Sequence, residues 1–353
     1  MTQNQTQLSQ QLSSTNPYLR QRAAIALGRL RNAQAVGALM ECLYDPEVGV
    51  QVAAAEALAQ IGDERVVEPL IKSFLGETYQ WMIYGQEGTP AKYFAIIASA
   101  ATALGKFGNA RAIEALFTGV STFDPVNPER TAAAALGLSF VRDERVIPAL
   151  LQTLQSPSHF VRYHAALALG RIGKTQAVKP LIAALRDPVS IVQEAAAIAL
   201  GNLRDPAAAE PLQRVFEDVE FFVPESAVNP YMLHDVRVAL QAKAARGLAL
   251  LGTPELVNLL EEGLLSSQWE TQIAAAVGLA HRKDVRVFSI LTKALDDKST
   301  EVKLEAVEGL VQLADIRAVT ILKRIASRQD IPVRVIEAAK HAIQQIAESA
   351  FSA

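Results

Sequence analysis

Five histidines, one cysteine and a scatter of carboxylates are the side chains through which this 353-residue chain could perform chemistry. The histidines are His159, His164, His234, His281 and His341, and none adjoins a glutamate. His159 and His164 straddle the start of one helical run without a second cluster of ligand-type residues, so no metal site is expected. Cys42 stands alone inside an apolar run, which leaves no disulfide framework and no thiolate cage. Gly85 to Gly88 does not lead into a lysine followed by Ser or Thr, and no Gly-x-Ser-x-Gly elbow occurs. Glu56, Glu308 and the other acids are too dispersed to form an acid/base pair by spacing. Catalytic residues are therefore unknown from sequence, and binding becomes the leading class of function.

For binding, the informative side chains are aromatic and basic. Tyr79, Trp81 and Tyr84 crowd one stretch, and Phe221, Phe222 and Tyr231 another. Aromatic anchors bury much area with few rotors and so dominate binding hot spots. Arg162 and Arg237 lie at helix starts. They can pair with acids in neighbouring turns or meet the carboxylates of an anionic ligand.

The elements that position these residues are read from a repeat. Its clearest copy is Val161-Arg162-Tyr163-His164-Ala165-Ala166-Leu167-Ala168-Leu169-Gly170-Arg171-Ile172-Gly173. The leucine before glycine recurs at Leu27, Leu58, Leu104, Leu136, Leu169, Leu200, Leu248, Leu279 and Leu310, and more weakly as Ile343. Successive separations are 31, 46, 32, 33, 31, 48, 31, 31 and 33 residues, so two steps carry about 15 to 17 extra. Val161, Ala165, Leu169 and Ile172 form one helical stripe, and Val178, Leu181, Ile182 and Leu185 another between anchors. Each period is thus a helix A followed by a helix B that carries the anchor. Pro69, Pro148, Pro180 and Pro211 open A helices, Asp-Pro at 45-46 and 187-188 marks the A-to-B turn, and Gly62, Gly108, Gly173 and Gly252 follow B helices. Gln5 to Leu12 and Ile336 to Ala347 would cap the two ends of the stack.

The expected fold is all-α: a right-handed α-solenoid superhelix of about ten helix pairs, a single domain over residues 1–353 with insertions at about 76–92 and 218–234. Both insertions replace an A-to-B turn and hold the two aromatic groups, so both are expected on one edge of the stack. Either they grip a partner or they fold back and staple their aromatics into the adjoining core; the pattern fits both.

Ala-Ala-x-Ala-Leu-Gly-x-Ile-Gly-Asp, then Val-x-Pro-Leu-Ile-x-x-Leu, then Asp-Pro-x-x-x-Val, resembles HEAT repeats over residues 18 to 343. The short period looks most like the subgroup named after cyanobacterial phycobilisome lyases. The resemblance implies B helices lining a concave surface. The residue two before each anchor then lines the trough: Ile25, Glu56, Thr102, Ala134, Leu167, Ile198, Arg246, Val277, Glu308 and His341. Its centre, including Thr102, Leu167 and Ile198, is uncharged and suits a partner helix or a flat apolar ligand, unless neighbouring B helices cover it.

Functionally the resemblance implies a protein-binding scaffold or chaperone for a phycobiliprotein or another phycobilisome component. The alternative it implies is a bilin lyase or lyase subunit, with a second HEAT-repeat subunit as partner. No cofactor is expected beyond a bilin held as ligand, its propionates facing Arg162 or Arg237. A formal charge of -3 disfavours nucleic acid. With no apolar run near the roughly 20 residues that span a bilayer and no signal-like N-terminus, no membrane insertion and a cytoplasmic location are expected.

Overall fold

The computed structural model describes residues 3–77, 90–122, 124–125, 127–219 and 230–352. Contacts divide the chain into two units, 1–172 and 173–353. Each is an all-α solenoid of five helix pairs.

In unit 1 the pairs are α1 (Gln3–Gln11) with α2 (Pro17–Arg29), α3 (Val36–Glu41) with α4 (Val48–Ile61), and α5 (Val67–Leu75) with α6 (Pro90–Phe107). They continue as α7 (Ala110–Ser121) with α8 (Pro128–Leu138), and α9 (Val146–Thr153) with α10 (His159–Ile172). Unit 2 opens with α11 (Val178–Ala184) and α12 (Ser190–Leu203), then α13 (Ala209–Glu217) and α14 (Pro230–Leu251), and α15 (Pro254–Gly263) and α16 (Trp269–Ala280). It closes with α17 (Phe288–Ala294) and α18 (Thr300–Leu313), then α19 (Arg317–Ala326) and α20 (Val333–Ser352). Even-numbered helices are the B helices, and consecutive ones pack side by side within each unit.

The B helices keep a strict register. In α2, α4, α10, α12, α16 and α18 the anchor leucine lies ten residues after the first helical residue and is essentially fully buried. That rule corrects one anchor. In α8 the residue ten after Pro128 is Leu138, which is fully buried, whereas Leu136 is only half-buried. The two leucines flank Gly137, so a leucine-before-glycine search selects the wrong one. Ala134 is accordingly a core residue packed towards Gly119 of α7, and the trough position of this repeat belongs to Leu136.

Helix reaches back into both expected insertions. Leu104 lies 14 residues after Pro90 and Leu248 lies 18 after Pro230, so α6 and α14 begin about one and two turns early. The final residues of both expected insertions are therefore helix, because Pro90 and Pro230 supply a first helical residue that needs no N–H partner.

Four residues beyond most anchors the chain turns through a left-handed residue. Glycine serves at Gly62 and Gly252, whereas Arg204, Lys283 and Ala314 take the same conformation with a side chain.

A second regularity stands seven residues before the anchor, where a polar side chain reaches back to a carbonyl of the A-to-B turn. Gln193 donates to the Asp187 carbonyl at 2.8 Å, Gln272 to Ser266, and Gln51 and Lys303 to Asp45 and Asp297. In α14 the staple survives the insertion, because Gln241 donates to the Phe216 carbonyl at 2.9 Å across 25 residues of chain. The bond joins α13 to α14 at the same register as in the uninterrupted pairs.

Close packing rests on small residues. A Cβ at Gly137 would lie 2.5 Å from the Ala101 carbonyl oxygen, and one at Gly201 would lie 2.7 Å from Cα of Gly247. The glycines inside B helices therefore give up helix propensity for backbone approach.

Candidate functional site

Five residues before the anchor the B helices read Arg22, Ala53, Ser99, Ala133, His164, Ala195, Lys243, Ala274, Glu305 and Ala338. Alanine holds half of these positions and alternates with other residues. In each unit side chains of two B helices meet across an intervening B helix that carries alanine here, Ala133 on α8 and Ala274 on α16.

In unit 1 the bridge is aromatic. Phe94, in the early turn of α6, reaches across α8 to α10, with ring centroids 4.8 Å from Phe160 and 4.7 Å from His164. Phe160 and Tyr163 meet the His164 ring edge-on at 4.7 and 4.9 Å. His164 is only 7% exposed, and its Nδ1 is buried without a hydrogen-bond partner. Burial pushes its pKa down to about 4, so the imidazole is neutral at physiological pH and one ring nitrogen is an acceptor. Phe94, Phe160 and Tyr163 remain half-buried, as do the trough residues Thr102, Leu136 and Leu167. The face is uncharged, contoured and partly wet.

In unit 2 the bridge is ionic. Lys243 of α14 donates to Glu305 at 2.8 Å and to Glu308 at 2.7 Å on α18, while Arg246 donates to Glu308 at 3.2 Å. These links pass over Ala274 and Val277 of α16, both buried. The extended start of α14 adds His234 against Glu270 at 3.1 Å and Asp235 accepting from Ser299. Burial works against the Lys243 ammonium, but Glu305 and Glu308 outweigh it and its pKa is raised. Burial lifts Glu305 to about 7, opposed by Lys243; at Glu308 Lys243 and Arg246 prevail over burial and hold the carboxyl low.

Glu194 of α12 is raised to about 7 by burial, with Lys243 opposing. Its ordinary value is 4.5, so between the two the folded chain holds a proton that the unfolded chain has lost. Stability therefore falls as pH rises through that window, by on the order of 2–3 kcal/mol from this group. Glu194→Gln is expected to raise the thermal midpoint at pH 8 and leave it unchanged at pH 5. An equal effect at both values would remove the carboxyl from the pH response.

Among the sequence candidates, Thr102 and Leu167 fall on the aromatic side of unit 1 and Ile198 on α12 of unit 2. Arg162 is engaged locally, donating to the carbonyls of Ser156 at 2.9 Å and Pro157 at 3.1 Å in its own turn. Arg237 is half-buried in the early turns of α14. Tyr79, Trp81, Tyr84, Phe221 and Phe222 lie outside the described residues, as does the side chain of Tyr231. Phe94, Phe160, Lys243 and Glu305 were not singled out, and His164 was weighed only as a metal ligand, although the alanine row carried the signal for His164, Lys243 and Glu305.

Two further features bear on chemistry. Among the described residues no group of three His, Cys, Asp or Glu could hold a metal ion, and burial pushes the Cys42 thiol up to about 11, far from a reactive thiolate. A groove of about 370 Å³ opens between α11 and α13, with Lys179, Arg186 and Arg214 around Ile182 and Pro211. Here Glu210 pairs with Arg214 of its own helix, whereas Glu68 of α5 pairs with Arg111 of α7.

Residues 6–83, 147–229, 231–298 and 259–344 match the family described as HEAT repeats. The chain is 40% identical over 85 residues, 24% of its length, to the bilin biosynthesis protein PecE of Mastigocladus laminosus; the match spans 28% of that relative. Among solved structures, the complex of CpcE and CpcF of phycocyanin lyase from Nostoc sp. PCC7120 aligns at 18% identity over 97% of this chain and 94% of that one, with a TM-score of 0.33. Human deoxyhypusine hydroxylase in complex with glycerol aligns at 19% over 78% and 95%, also at 0.33. Superpositions this loose bear on no functional point. Among the described residues no helix is long and apolar enough to cross a membrane.

Proposed function

Because the chain belongs to the HEAT-repeat family, we propose that it is a protein-binding scaffold or chaperone acting on a phycobiliprotein or another phycobilisome component in the cytoplasm. The observation that carries this reading is the uncharged stretch of the B-helix face from α6 to α10 of unit 1, where Thr102, Leu136 and Leu167 stay half-buried beside Phe94, Phe160 and Tyr163. A face of this kind suits an apolar helix surface, with the aromatic rings as anchors. The partial likeness to a bilin biosynthesis protein supplies the partner class. Purified chain is expected to co-elute with apo-phycocyanin on size exclusion, and Leu167→Asp to abolish it. Separate elution of the parent chain would sink the reading.

A second reading, a subunit of a bilin lyase, draws on His164. A neutral acceptor among edge-packed rings fits a flat conjugated ligand with N–H donors. Phycocyanobilin mixed with the chain is expected to show a shifted visible band that His164→Leu reduces. An unchanged spectrum would remove the bilin and leave the scaffold reading standing.

A further inference from the structure

The A helices carry a charge pattern of their own, and it is reversed at the first joint of unit 2. Counted from the buried leucine of each A helix, an acid stands two residues before Leu70 and Leu116, and an arginine five residues before Leu116 and Leu150. Each acid takes the arginine of the next A helix: Arg111 donates to Glu68 at 2.8 Å and Arg145 to Glu114 at 2.9 Å. Between α11 and α13 the same positions hold Lys179, two before Leu181, and Ala207, five before Leu212. One residue reverses the charge and the other removes the donor, so this joint has no such bridge. The groove of about 370 Å³ lies here. Three of its charged residues are basic, Lys179, Arg186 and Arg214, and one is acidic, Glu210, which pairs with Arg214 at 2.7 Å rather than with Lys179 across the gap. Lys179 has no ion-pair partner among the described residues. The other charged groups of these two helices and their turns, Lys174, Asp187, Arg204, Asp205, Glu217 and Asp218, do not line the groove. Asp187 accepts from the Val189 N–H, Asp205 from the Ala207 N–H and Glu217 from Gln213.

We propose that the groove between α11 and α13 docks an acidic segment of a protein partner, its carboxylates meeting the basic residues and its aliphatic side chains the floor. Ile182 and Pro211 are half-buried and form that floor between the charges. Cations around an apolar floor match a segment that mixes carboxylates with aliphatic side chains, whereas a bare inorganic anion would leave the floor wet. The formal charge of the chain is -3, so the basic excess is local and not part of a generally basic surface. Lys179 near the start of α11 and Arg186 just past its end stand about 10 Å apart along the helix axis. Two acids three residues apart in an extended segment span about the same distance.

The groove deepens the protein-binding reading and rests on it only for the occupant being part of a protein. The probe is the peptide Glu-Leu-Leu-Glu with both termini blocked, titrated by calorimetry into the full chain at low salt. It is expected to bind, and Gln-Leu-Leu-Gln is not. Lys179→Glu should weaken binding about tenfold, since it replaces an attraction by a repulsion. Lys179→Glu combined with Ala207→Arg restores the bridge of the other joints and should abolish binding without lowering the thermal midpoint, which keeps loss of binding distinct from loss of fold. Lys323→Glu makes the same charge change on an exposed residue of α19 and should leave binding intact. No binding to the parent, equal binding to parent and Lys179→Glu, an equal loss in Lys323→Glu, or displacement of the peptide by succinate would each overturn the docking groove. Failure of the peptide with intact apo-phycocyanin co-elution discards the groove only; the converse discards the partner class only.

Discussion

Gly105→Ala is expected to destabilise unit 1 by about 3 kcal/mol or more, at or beyond the upper end of what overpacking of a core costs. A Cβ at Gly105 falls inside the contact distance of the Gly137 carbonyl oxygen, and one at Gly137 would lie 2.5 Å from the Ala101 carbonyl oxygen, so neither α6 nor α8 can give way alone. Both are backbone contacts, and backbone does not change rotamer. Separating the two helices would also loosen Phe94 from Phe160 and His164, so the loss should register at the aromatic face as well as in the unfolding midpoint. Gly37→Ala on α3 is the control: nothing lies within 4 Å of its added Cβ, and better helix propensity should make it neutral or slightly stabilising. Chemical denaturation of both variants settles the matter, and equal midpoints would show that the close approach of α6 and α8 is not what the glycine serves.

Lys243→Met is expected to cost unit 2 about 3–5 kcal/mol at pH 8, because it leaves Glu305 and Glu308 facing each other without their shared ammonium. Glu305 is 4% exposed and cannot recover that loss from water. The penalty should shrink towards pH 5, where Glu305, raised to about 7, is protonated and no longer needs a partner. Adding Glu305→Leu to Lys243→Met should recover much of the stability, since an apolar pair carries no desolvation cost. Urea unfolding of the single and double variants at both pH values measures this, and a single-variant loss below about 1 kcal/mol at pH 8 would show that the bridge does not hold unit 2 together.

The repeat period made the helix pairs legible in sequence, down to α1 and α20, because burial of one leucine per B helix is the most repetitive demand of the fold. It failed at Leu136, where the motif leucine and the buried leucine are two residues apart on opposite sides of Gly137. The trough was read through Thr102, Leu167 and Ile198, and all three are half-buried. Counting from the anchor cannot show that Val277 is covered, since the cover comes from side chains of the two flanking repeats. Phe94 and Phe160 were passed over for the same reason: each is an ordinary apolar residue near a helix start until α6 is brought over α8.

Most contacts in such a stack join neighbours, which lets it bend a little at every joint, as a chain of hinges does. The Phe94–Phe160 and Lys243–Glu305 bridges each tie the first and third of three successive pairs. Like a strut across two hinges, each bridge makes its triplet a stiff block. Within each unit, flexing must then concentrate in the joints that have no strut, and a partner lying along the B helices meets a rigid floor where the rings or charges cross.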